Sequence, residues 1–557
     1  METLTRLAGP CCFCSFSVFA FKNILKSGKE SNMVKIDDKK VANILFEMHW
    51  ESDEAEHSEL LFGHRVNMWR DMFPRFMGEA LYGKSEGDML NFDYGPGETV
   101  PGAEERNVKQ VRPTQFEKRK VQGQPLQPRR GRIYPQGLLA ALPGIVREST
   151  IPFRIGEISG DKLVADFNHP LADTNLNIKA HVLKVADKHR EAGGVAKHFG
   201  DILTTGPGYQ ARWNGTPTDF YADSPFLRID NSSDSRFYKQ PRITAHIDKQ
   251  ARDNLSHLLS GLVHPHTRVL DLMSSVHTHV PEELYLKELV GLGMNEQELR
   301  QNPKLSGHVV HDINTNPELP FDKNQFDAVI CNMSVEYMTR PHEVFADVAR
   351  VLRPGGAFIV TFSNRWFPQK VVRIWSELHE FERPGLVLDY FLQSGEFERL
   401  HTWSERNWPR AWDPDDRYIA KVLFINHHFA ARGAVQCADD VQQRAFARAG
   451  RAGHGREFTL AQGEAHPAQG LNLDVTLPII LGHVFKTDDG FHGLHAPEFC
   501  ACCKVRNTNF TRAAGYRQYR YHSRDRWRSS STARWPRTRW RTATAEFPTR
   551  AWDTPRD

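Results

Sequence analysis

From Thr267 onward, short apolar runs alternate with amphipathic stretches and turn signals, a texture that few architectures accommodate. TRVLDLM (267–273) and KELVGLGM (287–294) read as strands, with a helix expected after Pro281 and another opened by NEQELRQNP (295–303). FDAVICNM (326–333) reads as a third strand, PHEVFADVARVLRPGG (341–356) as a helix with its Pro-Gly-Gly stop, and AFIVTFSN (357–364) as a fourth strand. Strands that alternate with helices make a parallel sheet, because each parallel connection crosses one face and a helix packs there. The expected class is a doubly wound α/β domain over residues 267–429, with ligands at the carboxyl ends of its strands.

At 557 residues the chain exceeds what one hydrophobic core organises, so several domains are expected. No stretch approaches the roughly 18 apolar residues of a membrane-spanning helix, so no membrane span is expected. The net charge of +4 is unevenly spread, with 13 Arg against 4 acidic residues between Arg506 and Asp557, which leaves the remainder mildly acidic. A mildly acidic body argues against nucleic acid as a partner except through that Arg-rich tail, because phosphate binders carry Lys and Arg on the domain itself. Cysteines sit at the margins (Cys11, Cys12, Cys14, Cys437, Cys500, Cys502 and Cys503), with Cys331 alone between them. No disulfide framework and no metal site is expected in that body, and a reduced, cytoplasmic compartment fits. Residues 1–33, with the apolar run Cys11–Phe21, read as a leader that is either an organelle-targeting segment or disordered. Residues 430–557 show neither helical nor strand periodicity and are expected to be a disordered tail.

Between 34 and 187 the periodicity is two, as in VANILFEMHW (41–50), DKLVADFNHP (161–170) and LNIKAHVLKV (176–185), and β-rich structure is expected. A short helix is expected within VNMWRDMFPRFMGEAL (66–81) despite Pro74, and a loop over QPLQPRRGRIYPQG (124–137). GKSEGDMLNFDYGPGE (83–98) and DFNHPLADTNLNIKAHVLKV (166–185) resemble the turn-and-strand motifs of FKBP-type peptidyl-prolyl isomerases that carry an inserted flap, here at about 100–160. The resemblance implies an α+β module with an aromatic, largely dry pocket that weakens the prolyl amide's partial double bond. Ile178 stands where that family places a pocket Phe, and Trp69 and Tyr94 remain as candidate walls, so weak or absent isomerase activity is expected. A connecting segment, 188–266, follows. Its helix, HIDKQARDNLSHLLSGLV (246–263), carries Ile247, Ala251, Leu255, Leu258 and Leu259 at helical spacing and is expected to dock on the next domain. FYKQPR (237–242) either covers a ligand or serves as plain docking segment.

Four motifs then occur in order: VLDL (269–272), LPF (319–321), FDAV (326–329) and LRPGG (352–356). Together they resemble class I S-adenosylmethionine (SAM) dependent methyltransferases of the type 11-like branch, across about 160 residues. That resemblance implies a Rossmann-like fold and SAM as cofactor. The sulfonium already activates the methyl group, so the protein's task is alignment and exclusion of water. It also implies a set of cofactor-binding positions. Asp271 ends the first strand, and Met273, Ser274 and Ser275 form a first loop, MSSVHTHVP (273–281), that lacks the glycine usually allowing close backbone approach. Gly293 falls where a carboxylate gripping the ribose is expected, with Asn295 or Glu296 as substitutes. Asp312 and Ile313 stand where the family holds the adenine, and Asn332 ends the third strand. His277, His279, Glu336 and Tyr337 are candidates for acid–base work near the strand ends, and the base is left unassigned. The methyl acceptor is unknown, with small molecules, proteins and RNA all open. Two rival readings are an isomerase or chaperone whose second domain only binds, and a non-catalytic interaction protein.

Overall fold

The computed structural model describes residues 34–188, 194–206, 215–409 and, for the backbone alone, 479–484, all within the first of the chain's two units, Met1–Asp488. The leader, the Arg-rich stretch from Arg506 and every cysteine except the buried Cys331 lie outside the described residues.

Alternating apolar residues build two long strands at the start, β1 (Lys40–Glu51) and β2 (Glu56–Val66). Pro74 cannot continue a helix, and the expected helix reduces to α1 (Met77–Leu81), beyond it. β3 (Met89–Tyr94) follows, and then a separate group: β4 (Val108–Val111), β5 (Lys120–Val121), β6 (Gln124–Pro125), β7 (Ile133–Pro135), β8 (Pro152–Ser159) and β9 (Lys162–Asp166). Within it β4-β9-β8-β7 form an antiparallel sheet over a core of its own, including Phe116, Tyr134, Phe153 and Leu163. The chain returns through β10 (Leu176–Asp187), which pairs with β1 and β3. The sheet β2-β1-β10-β3 buries Phe46, Met48, Trp50 and Ile178 against Met77 and Leu81 of α1 and against Phe199 and Leu203 of α2 (Phe199–Thr204). Of the two aromatic residues read as pocket walls, Tyr94 is buried and its hydroxyl donates to the Arg75 carbonyl at 3.0 Å. Trp69 is 63% exposed, because it lies in the turn beyond β2 rather than on the inward face.

After α3 (Asp234–Phe237), the docking helix is α4 (Lys249–Leu262). Asp248 caps it by accepting the Ala251 N–H at 2.9 Å. Ala251, Leu255, Leu258 and Leu259 pack on Val269, Leu289, Ile330 and Ile359. These belong to β11 (Arg268–Leu272), β12 (Glu288–Gly293), β14 (Phe326–Asn332) and β15 (Leu352–Thr361), with α5 (Glu296–Gln301) and β13 (Gly307–Val310) after β12 and α6 (Pro341–Val351) before β15. No helix follows Pro281, contrary to expectation, and α4 covers the face such a crossover helix would take. β13 went unread in the sequence because its four residues are too few to show a period. The parallel order β13-β12-β11-β14-β15 reverses direction between β11 and β14.

The chain continues with α7 (Arg373–Glu377), α8 (Arg383–Ser394) and β16 (Phe397–Arg406). β17 (Ile479–Val484) lies inside the span read as a disordered tail, yet it pairs antiparallel with both β15 and β16. The local apolar run there supplies a strand whose ladder partners are more than 70 residues away. β16 also pairs in parallel with β2, so the two sheets join into one of 11 strands. Among the described residues no helix is long and apolar enough to cross a membrane, and no group of three or more His, Cys, Asp or Glu is placed to hold a metal.

Candidate functional site

Parallel strands end together, and where their order reverses the following loops diverge and leave a crevice. Here the crevice is a cavity of about 310 Å³. Asp271, Met273, Ser274, Ser275, Gly293, Asn295, Asp312, Ile313 and Asn332 all line it. So do His277, His279 and Tyr337, whereas Glu336 does not.

The loop after β11 turns without glycine because Met273 itself adopts φ +60°, a left-handed conformation that costs a side-chain-bearing residue free energy. The turn is held by Ser274, whose N–H donates to the Leu292 carbonyl at 2.7 Å. Both serine hydroxyls donate to carboxylates of the chain, Ser274 Oγ to Asp271 Oδ2 and Ser275 Oγ to Glu298 Oε2, each at 2.6 Å. What they offer a ligand is lone pairs, not protons. The loop rests directly on Gly293, where a Cβ would meet the Ser274 carbonyl oxygen at 2.3 Å. A carboxylate-bearing side chain therefore has no room at that strand end.

Both expected substitutes are engaged within the chain. Asn295 is the cap of α5, its Oδ1 accepting from the N–H groups of Gln297 and Glu298 and its Nδ2 donating to the carbonyls of Tyr238 and Lys239. Its amide has no hydrogen left to donate. Glu296 is exposed and pairs with Arg300. A carboxylate of α5 that does line the cavity is Glu298, not singled out from the sequence; it accepts the Arg242 N–H at 2.7 Å in addition to the Ser275 hydroxyl. Its signal was present, since Asn295-x-x-Glu298 has the spacing of a capping box.

Asp312 holds the turn after β13, with Oδ1 accepting from the N–H groups of Asn314 and Thr315 and Oδ2 from the Thr315 hydroxyl at 2.9 Å. Asn314 in turn ties this loop to Asp234 and to the Tyr337 carbonyl. Asn332 is fixed between Thr361, whose hydroxyl it accepts at 2.9 Å, and the Thr278 carbonyl, to which it donates at 3.1 Å. The FYKQPR segment runs along the cavity. Arg242 lines it, with its guanidinium carbon 4.5 Å from the Phe237 ring centroid and 5.3 Å from that of Phe367. Phe367 and Trp366 close the side reached from β15. They follow the fourth strand immediately, which is the place a sheet-end argument picks out.

Burial dominates the electrostatics. It pushes the Asp271 carboxyl up to about 7 against the hydrogen bond from the Ser274 hydroxyl. It pushes Glu336 up to about 8. His279 is held down at about 3 by burial, with His277, Arg252, His246 and Lys304 adding repulsion, and His277 is lowered for the same first reason. An imidazole with so low a value is neutral at physiological pH and a weak proton acceptor. Burial also raises Tyr337 strongly, and its hydroxyl oxygen accepts the Phe367 N–H at 2.8 Å.

Residues 275–360 match the family model of a methyltransferase domain. No curated protein matches the chain. Among solved structures the chain is similar to the complex between a Haloferax volcanii methyltransferase activator and a methyltransferase, at 14% identity and a TM-score of 0.25, over 43% of this chain and 93% of that one. It is similar to the [4+2]-cyclase SpnF at 16% identity and a TM-score of 0.27, over 44% and 86%. The S-adenosylmethionine dependent methyltransferase from Mesorhizobium loti is 13% identical with a TM-score of 0.23, over 42% and 96%. The family match and the strand order β13-β12-β11-β14-β15 together support a methyltransferase domain with a Rossmann-like α/β fold in the segment from β11 through β15.

Proposed function

We propose that this domain binds SAM in the cavity at the strand ends and transfers its methyl group to a small-molecule or protein acceptor. The observation that carries the reading is convergence: the loops after β11, β12, β13 and β14 meet on one cavity at the reversal of strand order, within the segment that matches the methyltransferase model.

The donor set fits the cofactor. Met273, Leu292 and Ile313 offer apolar surface to a purine, and Asp312 offers carboxylate lone pairs to its amino group. Ser274 and Ser275 present lone pairs to an ammonium, and Arg242 presents a cation to a carboxylate. When bound, SAM supplies a methyl group already activated by its sulfonium. The chain's part is to orient that group, and the aromatic wall of Tyr238, Trp366 and Phe367 keeps water from it. No base is assigned, because a group near 3 such as His279 is poorly matched to deprotonating an acceptor at neutral pH.

The N-terminal module is read as an FKBP-like scaffold in a cytoplasmic protein, with weak or no isomerase activity. Burial of Ile178 in the sheet core and exposure of Trp69 support this, since only Tyr94 of the candidate pocket aromatics lies inside. A second reading, a non-catalytic binder, is favoured by one observation: the Ser274 carbonyl occupies the place of a ribose-gripping side chain at Gly293. Calorimetry of the full chain with SAM and S-adenosylhomocysteine, followed by a methylation screen of metabolites and proteins, separates the two. Heat at micromolar cofactor and a methylated product support the enzyme. No heat and no thermal shift at millimolar cofactor sinks it.

A further inference from the structure

Arg132 belongs to the inserted group of strands, yet its side chain ends among the helical residues that follow β15. It is 1% exposed. Its Nε donates to Glu382 Oε1 at 3.1 Å, and its Nη2 donates to the Glu377 carbonyl at 3.3 Å. The same Glu382 oxygen accepts the Ile133 N–H at 2.8 Å, and Ile133 packs on Phe381. A guanidinium withdrawn from water is tolerated only when paired and hydrogen-bonded with good geometry. This is a dry, directional clamp between segments 250 residues apart, not an incidental surface contact.

The clamp leads to the cavity. Beside Glu382 stands Arg383, also buried, whose Nε and Nη2 donate to the carbonyls of Trp375 and Leu378 and whose guanidinium carbon lies 4.4 Å from the Trp366 ring centroid. Trp366 lines the cavity at the strand ends. With Arg383 it also lines a second cavity, of about 70 Å³, whose opposite wall is Ile133, Tyr134 and Leu138 of the inserted group. One indole thus borders both spaces, with a cation stacked on it from the side that the clamp secures.

We propose that the inserted strands form an integral outer wall of the methyltransferase site, with Arg132 as a positioning residue that holds Trp366 against the cavity through Glu382 and Arg383. The affinity readout below rests on the cavity being the cofactor site, whereas the quenching readout does not. The inserted group and the strand-end cavity are then one working unit: the inserted group cannot move without moving the wall that Trp366 gives the cavity.

The test uses the full chain, its Arg132→Met and Trp366→Leu variants, and the double variant. Acrylamide quenching is measured in each background, and the contribution of Trp366 is taken as the difference from the Trp366→Leu counterpart. Titration with S-adenosylhomocysteine gives affinity. Arg132→Met is expected to make Trp366 markedly more quenchable and to weaken S-adenosylhomocysteine by about 5- to 10-fold, while the double variant binds no more weakly than Trp366→Leu alone. If Arg132→Met does not fold, Arg132→Met with Glu382→Leu removes both charges of the clamp together, and the same changes are expected. Unchanged quenching of Trp366 overturns the proposal, as do affinity losses that simply add. Absence of any S-adenosylhomocysteine binding by the parent chain counts against the proposed function, and quenching then decides the wall by itself.

Discussion

The carbonyl oxygen of Ser274 lies 2.3 Å from the point where a Cβ on Gly293 would stand. The loop after β11 and the end of β12 are therefore fitted to each other, and the glycine belongs to the second strand because the first loop has none to give way. Gly293→Asp, which restores the carboxylate expected there, is predicted to lower stability by about 1–3 kcal/mol through overpacking and to gain no cofactor affinity. Thermal denaturation and an S-adenosylhomocysteine titration check this; a variant that binds more tightly at undiminished stability refutes it.

Asp312 has two possible employments, and its two amino-acid replacements separate them. Asp312→Ala removes the acceptor for two backbone N–H groups and one hydroxyl, with an expected stability loss of about 1 kcal/mol. Asp312→Asn keeps one carbonyl oxygen for the turn but loses the charge and half of the acceptor capacity. It is expected to melt near the parent temperature and to bind SAM about 5- to 10-fold more weakly. An Asp312→Asn variant with parent affinity removes this residue from the cofactor site.

Stability is expected to fall as pH rises from about 7 to 8. Burial holds the carboxyl groups of Glu59, Asp271 and Glu405 at about 7 and that of Glu336 at about 8, whereas the unfolded chain loses these protons near pH 4. Across the interval the folded state retains protons that the unfolded state has released, and stability declines with pH. His57, His279 and His379, held at about 3 by burial, and His169, held at about 4, act with the opposite sign around their ordinary value of 6.5 and fade above it, so the carboxyl groups set the slope from about pH 7. Each group still protonated contributes at most about 1.4 kcal/mol per pH unit. Denaturant melts between about pH 7 and 8 measure the slope, and Glu336→Gln, which mimics the neutral acid, is expected to flatten it. A slope of zero or the opposite sign contradicts the assignment.

The helix α4 is expected to be indispensable to the domain that follows it. Leu255 is completely buried between α4 and the sheet, and Leu255→Ala is expected to cost about 2–5 kcal/mol. A fragment beginning at Thr267 leaves Val269, Leu289, Ile330 and Ile359 without their cover and is expected to aggregate, while one that retains α4 remains folded. Expression of both fragments with solubility and circular dichroism measurements decides between them.

Local pattern in the sequence was enough for the alternation of strands and helices from Thr267, the helix within 246–263, and the nine residues that line one cavity. Strand period, helical spacing and capping chemistry are set by neighbours a few residues apart, and strand ends in a parallel sheet fall together as a consequence. The absence of a helix after Pro281 was not legible, because whether a crossover needs one depends on what else covers that face, and α4 does. Nor was β17 legible, since its ladder partners are remote in the chain. The roles of Gly293 and Asn295 depended on through-space fit: a carbonyl from another loop fills the space beside Gly293, and two carbonyls of the 238–239 segment consume the Asn295 amide. The sequence determined which groups stand at the strand ends. Only the tertiary structure decided which of them remain free to meet a ligand, because hydrogen-bonding capacity is finite and distant segments lay claim to it.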